Sequence, residues 1–259
     1  QLYWYAELIN RGISANAVLT NDIVVNSGKM TASSTNARAW TPIGAATGHN
    51  TGMFFTNTFD GQGHTVSGLY CGSTPFFAGM FGCIAKGGTV KNTGVINSYF
   101  KASKGAGAVS GGNSNLNAGG TVENCYSVNN TIAATDNAGG IVGGCWQGAS
   151  IKNCYTYSCS ISGASGYSKP ISGYFEQNGT KATEENCCYG NISGSFTDDS
   201  GASKLTSAGF ASGEAAYRLN TNGDNVWYQN IDFTPKDSYP VLEKDHGVVQ
   251  NIRSRCGRV

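Results

Sequence analysis

Gly140-Ile141-Val142-Gly143, followed by Ser150-Ile151-Lys152-Asn153-Cys154-Tyr155, is one of a series of related units. Gly79-Met80-Phe81-Gly82 precedes Gly88-Thr89-Val90-Lys91-Asn92, and Gly107-Ala108-Val109-Ser110-Gly111 precedes Gly120-Thr121-Val122-Glu123-Asn124-Cys125-Tyr126. A decayed copy runs Pro170-Ile171-Ser172-Gly173, then Glu184-Glu185-Asn186-Cys187-Cys188-Tyr189, and Gly63–Leu69 resembles the second half of a unit. The Asn positions 92, 124, 153 and 186 are separated by 32, 29 and 33 residues. That spacing, with short apolar patches and no 3.6-residue periodicity, fits one coil of a solenoid stacking on the last. A propeller blade needs about 40 residues and four strands. The reading is an all-β parallel β-helix of about five coils.

Stacking at about 4.8 Å makes equivalent residues neighbours. Val66, Val90, Val122 and Ile151 are expected to form an inward aliphatic column, and Thr93, Cys125, Cys154 and Cys187 a second. Between them Lys91, Glu123, Lys152 and Glu185 point outward and alternate in sign, which favours pairing in register. The Asn residues suit bends, since Asn tolerates left-handed geometry and its amide can bond the next coil.

Composition agrees with many short strands. Gly is 37 of 259 residues, about twice the usual share, and only 13% of residues are charged. A net charge of +1, with no basic stripe, excludes the electrostatic footprint of nucleic-acid binding. No apolar run reaches the roughly 18–20 residues of a membrane span. The chain begins at Gln1 without Met or a signal segment, and reads as a processed or trimmed product. Nine Cys suggest an exported protein, with Cys71–Cys83 or Cys145–Cys159 as bridges whose connectivity the sequence leaves open. No C-x-x-C pair or other metal spacing occurs, and neither metal nor cofactor is expected.

The G-[M/I]-x-G element followed by V-K-N or I-K-N-C-Y resembles the GLUG repeat of bacterial exported and surface proteins. Trp40–Gly44 and Thr58–Val66 resemble the segment that precedes such repeats, and Phe210–Tyr217 with Ser238–Leu242 the closing segment. The resemblance implies a right-handed parallel β-helix and an extracellular or cell-surface location, without a defined chemistry. The expected organisation is one continuous domain: residues 1–75 the N-terminal cap and first coils, 76–195 the GLUG-like coils, 196–249 a C-terminal capping segment, and 250–259 a tail. Leu2, Tyr5, Leu8 and Ile9, with Gly12 as C-cap, predict a short helix over the first coil. Ser212 is expected to cap a second helix, with Trp227, Phe233, Tyr239 and Leu242 packing over the last coil.

Two strings invite catalytic readings. Asp60-Gly61-Gln62-Gly63-His64 places an acid four residues from a His, although a tight Gly turn explains it better. Asp198-Asp199 could serve glycoside cleavage, but sits in a loop that composition makes solvated. From Gly79 to Ile192 there are five acids, two of them in the charge ladder, and no His. The catalytic series of solenoid pectinases is missing. The sequence therefore favours a non-enzymatic structural or adhesive module over its alternative, a polysaccharide lyase or glycoside hydrolase on the same scaffold. Its binding candidates are Tyr126, Trp146, Tyr155, Tyr157 and Tyr189, read as an exposed lateral strip that stacks on a glycan or meets a protein partner.

Overall fold

The computed structural model describes residues 1–113, 119–145, 148–164, 166–174, 176–177, 180–221 and 225–249, excluding the side chains of residues 174, 176–177 and 180–181. It is a parallel β-solenoid of about four turns, with partial rungs at each end.

Each coil has four faces. The long face stacks Thr58–Asp60 with Thr65–Ser67, then Thr89–Ile96, Thr121–Val128, Ser150–Lys152 with Tyr155–Tyr157, and Thr183–Glu185 with Cys187–Gly190. Ala17–Val18 and Ile23–Val24 add a partial rung before it, and Ala202–Lys204 one after it. The second face runs from Tyr70–Cys71 through Tyr99–Ala102, Thr131–Ala134 and Ser160–Ser162 to Ser193–Ser195. The third stacks Phe77–Ala78, Gly105–Gly107 and Asn137–Gly139; the fourth stacks Phe81–Cys83, Ser110–Asn113, Val142–Cys145 and Ser172–Tyr174. The fifth coil anticipated from the sequence starts but is not completed, because the chain leaves it after Ser195.

Register follows the repeat. Val90, Val122 and Ile151 are in line and fully buried, while Lys91, Glu123 and Lys152 lie in line beside them with partly exposed side chains. Lys91 Nζ lies 3.4 Å from Asp60, which extends the alternating ladder by one step, and Lys152 lies 3.5 Å from Glu185. One member of the aliphatic column differs from expectation. Phe59 pairs with Val90, whereas Val66 pairs with Val95. The unit before the first repeat carries the four-residue turn Gly61–His64 where the next coil has only Asn92 and Thr93, so its second half aligns further along the next strand.

That one Asn is the device that bends the long face. Asn92, Asn124, Asn153 and Asn186 have φ of 54°, 50°, 49° and 53°, the left-handed region Asn visits at low cost. Asn92 donates to Asp60 Oδ1 (3.0 Å), Asn124 to Asn92 (3.1 Å) and Asn186 to Asn153 (2.9 Å). A second corner stacks Asn97, Asn129, Ser158 and Asn191 at φ of 52–58°. Asn129 donates to Asn97 (2.6 Å) and Asn191 to Ser158 Oγ (3.2 Å).

Eight cysteines are buried free thiols; Cys256 lies outside the described residues. The bridges considered from the sequence do not form. Cys125, Cys154 and Cys187 instead fill one inward column below Thr93, and each thiol donates to a backbone carbonyl of its own or the neighbouring coil. Burial pushes the Cys154 thiol far up, which makes it a small hydrophobe rather than a nucleophile.

Helix α1, Leu2–Asn10, covers the first coil with Leu2, Tyr5, Ala6 and Ile9, and Gly12 follows at φ 84°. At the other end the expected helix has a partner. Thr206 caps α2, Ser207–Ala211, by accepting from Gly209 N–H, and Ser212 ends that helix instead of starting the next. Helix α3, Glu214–Leu219, begins at Gly213 in the left-handed region. The segment from Phe210 to Leu242 docks along the side of the coils rather than across the end of the last one. Phe210, Ala215, Leu219, Trp227 and Leu242 join Tyr126 and Tyr155 in an apolar cluster on the outer side of the long face. Phe233, expected in this packing, is 78% exposed.

Candidate functional site

Between the two corners the chain is only four residues long, so side chains alternate in and out over a short span. Cys125 and Ser127 face the core, and Tyr126 and Val128 face outward. The same parity places Tyr155 and Tyr157 outward. Tyr189 differs. Cys188 takes the position opposite Tyr155, so Tyr189 pairs with Thr156 and turns inward. The corner-to-corner length is unchanged, and a tyrosine one position later faces the other side of the sheet.

The expected exposed aromatic strip is therefore corrected at three positions. Tyr126 and Tyr155 are 2% and 0% exposed because Trp227 and Phe210 lie on them, and Tyr189 is buried within the coil. Tyr155 donates through its hydroxyl to the Pro240 carbonyl at 2.5 Å. Burial holds both outward phenols neutral by raising them well above 10. Trp146 lies outside the described residues.

Tyr157 alone of the four remains partly open. One side of its ring stacks on Phe210, with centroids 4.4 Å apart, and Tyr239 stands 6.1 Å away at 46°. The two tyrosines help wall a groove of about 250 Å³ whose other lining residues are Ile96, Asn97, Val128, Asn129, Ser158 and Ser238. The floor is the second corner ladder. The repeat places amide and hydroxyl groups there at one-coil intervals, and the docked C-terminal segment supplies the opposite wall. Lys29, exposed at the rim, donates to Asn129 Oδ1 at 2.8 Å. Burial raises the Tyr239 phenol, and the charges of Asp237 and Glu243 add to the effect. A cation on one rim and carboxylates acting on Tyr239 leave a groove of mixed charge, with apolar sides and hydrogen-bonding groups below.

Sequence reasoning reached Tyr157 but missed Tyr239 and the ladder. The ladder had a signal: positions 97, 129, 158 and 191 repeat the spacings 32, 29 and 33 of the first Asn series. Tyr239 had none, because the docking of a segment some 80 residues away is not periodic.

The catalytic strings are drawn into structural roles. Asp60 Oδ1 accepts from Gln62 N–H and Asn92 Nδ2, both at 3.0 Å; burial pushes its carboxyl up, but those bonds and Lys91 outweigh it, leaving it below the usual range. Among the described residues Asp60 pairs with Lys91 and His64 with Asp22, so the acid and the His of that string are not brought together. Asp198 is exposed and paired with Lys204 at 2.9 Å, whereas Asp199 is 5% exposed, contrary to the solvated loop expected. A larger cleft, about 700 Å³, opens at the N-terminal end between α1 and Ala17–Ile23, lined chiefly by Leu2, Trp4, Val18, Leu19, Ile23 and Phe59. Gln1, Asn16, Thr20, Asn21 and Asp22 add polar groups to these walls, and the cleft belongs to the end of the solenoid rather than the lateral face. No group of three or more metal-ligating side chains occurs among the described residues.

No protein-family model matches the chain, so the GLUG resemblance identifies no family for it, and no curated protein matches it. Among solved structures the chain is similar to a protein described as a "putative immunoglobulin A1 protease" from Bacteroides ovatus, with a TM-score of 0.56 over 92% of this chain and 89% of that one. At 15% identity that likeness is one of fold: a bacterial protein carries a solenoid of closely similar extent.

Proposed function

We propose that this protein is a non-enzymatic recognition module of a bacterial exported or cell-surface protein, and that its lateral groove binds glycan. The observation that carries the reading is the pairing of Tyr157 and Tyr239 above the Asn97–Asn129–Ser158 ladder. Aromatic walls offer rigid apolar area to the face of a sugar ring at low entropic cost, and amides and hydroxyls suit its hydroxyl groups. The mixed charge of the rim favours a neutral sugar over a polyanion. At about 250 Å³ the groove suits one residue of a longer chain that continues along the lateral face, the extended surface solenoids present.

A glycan array probed with the intact protein tests this, with Ser238→Trp and Asn129→Ala as groove variants. Ser238 is exposed, so its replacement fills the groove without removing a core contact. Binding of a neutral glycan that both variants weaken at least tenfold, with cooperative melting kept and lowered only for Asn129→Ala, whose left-handed corner strains alanine, supports the reading. Binding that Ser238→Trp leaves untouched excludes the groove. Release of reducing ends by the same preparation would favour the carbohydrate-active alternative.

A further inference from the structure

The interior column Val90, Val122, Ile151 ends in a residue of another kind. Glu184 pairs with Ile151, so parity sends its carboxyl inward where its predecessors are aliphatic. Both its oxygens are sealed from solvent and receive no hydrogen bond among the described residues. Asp199 Oδ2 is buried in the same state, while Asp199 Oδ1 accepts from Gly201 N–H at 3.2 Å. The two residues meet because of the chain's path. After Ser193–Ser195 on the second face, Thr197 N–H bonds the Ser168 carbonyl beside the third face. Ala202 then pairs with Cys187 on the long face. The residues between pass across the end of the solenoid, with Phe196 packed on the core and Asp199 turned in towards Glu184. Gly201 closes against Glu184 so tightly that a Cβ there would sit 2.7 Å from Oε2.

Three sealed acceptor oxygens with no donor are unfavourable unless a proton supplies the missing bond. We propose that Phe196–Gly201 is a proton-held latch: it closes the C-terminal end of the solenoid while a hydrogen bond joins the Glu184 and Asp199 carboxyls, and it opens when both are ionised. The groups that act on Glu184 from the packed elements are Asp199 on the latch, Cys187 on the next strand, Lys169 near the third face and Cys145 one coil up. Lys169 opposes the effect, but burial and Asp199 prevail and push the Glu184 carboxyl up to about 10. With a closed-state value above the open-state one, the latch is fully held below about pH 4.5. It loses that hold progressively as pH rises towards 10.

Hydrogen exchange at the amides of residues 199–201, corrected for intrinsic rate, tests this in the whole protein between pH 6 and 9. Glu184→Gln keeps a neutral donor opposite Asp199, and Asp199→Asn places a donor opposite Glu184. The expected protection of wild type, divided by that of Glu184→Gln, falls about tenfold per pH unit, and divided by that of Asp199→Asn, which keeps the buried Glu184, falls less steeply. Amides of the central coils such as Val122 keep their protection throughout. If one variant fails to fold, the other carries the comparison. A ratio independent of pH would overturn the proposal. So would restoration of wild-type protection at pH 9 by millimolar Ca²⁺ or Mg²⁺, since the pair would then be held by a cation instead of a proton.

Discussion

Tyr126 and Tyr155 stack ring on ring across neighbouring coils, with centroids 5.3 Å apart and planes 8° from parallel. Trp227 meets both edge-on, at 5.9 and 5.2 Å. The repeat sets the first relationship and the docked C-terminal segment the second. Removing the indole empties a fully buried site, so Trp227→Ala should cost about 3–5 kcal/mol. Tyr155→Phe keeps the stack and orphans the Pro240 carbonyl, at about 1–2 kcal/mol. Urea melts of both variants check the order, and equal losses would contradict it.

Ile151 and Lys152 are adjacent in sequence and opposite in fate. Ile151→Ala should destabilise by about 2–5 kcal/mol, because its column has no room to collapse. Lys152→Ala removes an exposed pair with Glu185 and should cost less than about 1 kcal/mol. A denaturant midpoint that moved more for Lys152 than for Ile151 would require the strand to be read one residue out of register.

The corner at Asn124 separates backbone conformation from side-chain bonding. Asn124→Gly keeps a left-handed residue but removes the donor to Asn92, while Asn124→Ala loses both. Alanine should therefore be the more damaging by about 1 kcal/mol, the cost of forcing a Cβ into that region. Comparison of the two melts gives the backbone term directly.

His246 Nδ1 lies 2.7 Å from Asp237 Oδ2, and this bond is the main cause that raises the imidazole above its usual 6.5. A His held charged in the folded state adds stability below its unfolded value and loses it as pH rises through the folded one. The C2-proton titration of His246 should thus have its midpoint above 6.5. Asp237→Asn should bring it down, and a midpoint at or below 6.5 in wild type would contradict the pair.

The repeat was legible because stacking converts sequence period into spatial adjacency. The Asn corners, the thiol column and the alternating charges all follow from that rule. Errors arose where a coil departs from the repeat. The long turn at Gly61–His64 moved Val66 along its neighbour, and Cys188 in the outward position left Tyr189 in the inward one. The aromatic strip failed for another reason. Parity predicted correctly that Tyr126 and Tyr155 leave the core, but an outward side chain is exposed only if nothing docks on it. What docks is aperiodic, and its contacts span some 30 to 180 residues, so the groove beneath Tyr239 could not be read in advance.

The C-terminal segment reaches every stage of the coil stack. Asn186 on the last rung donates to the Leu219 carbonyl, Tyr155 in the middle donates to Pro240, and Leu242 lies against Gly63 near the first turn. A bare solenoid communicates only between adjacent units, and its ends can fray one coil at a time. Here a single strap ties the ends of the row to each other, so loss of any coil also strips the strap from the rest. Melting should then be a single all-or-none event, with the terminal coils as durable as the central ones.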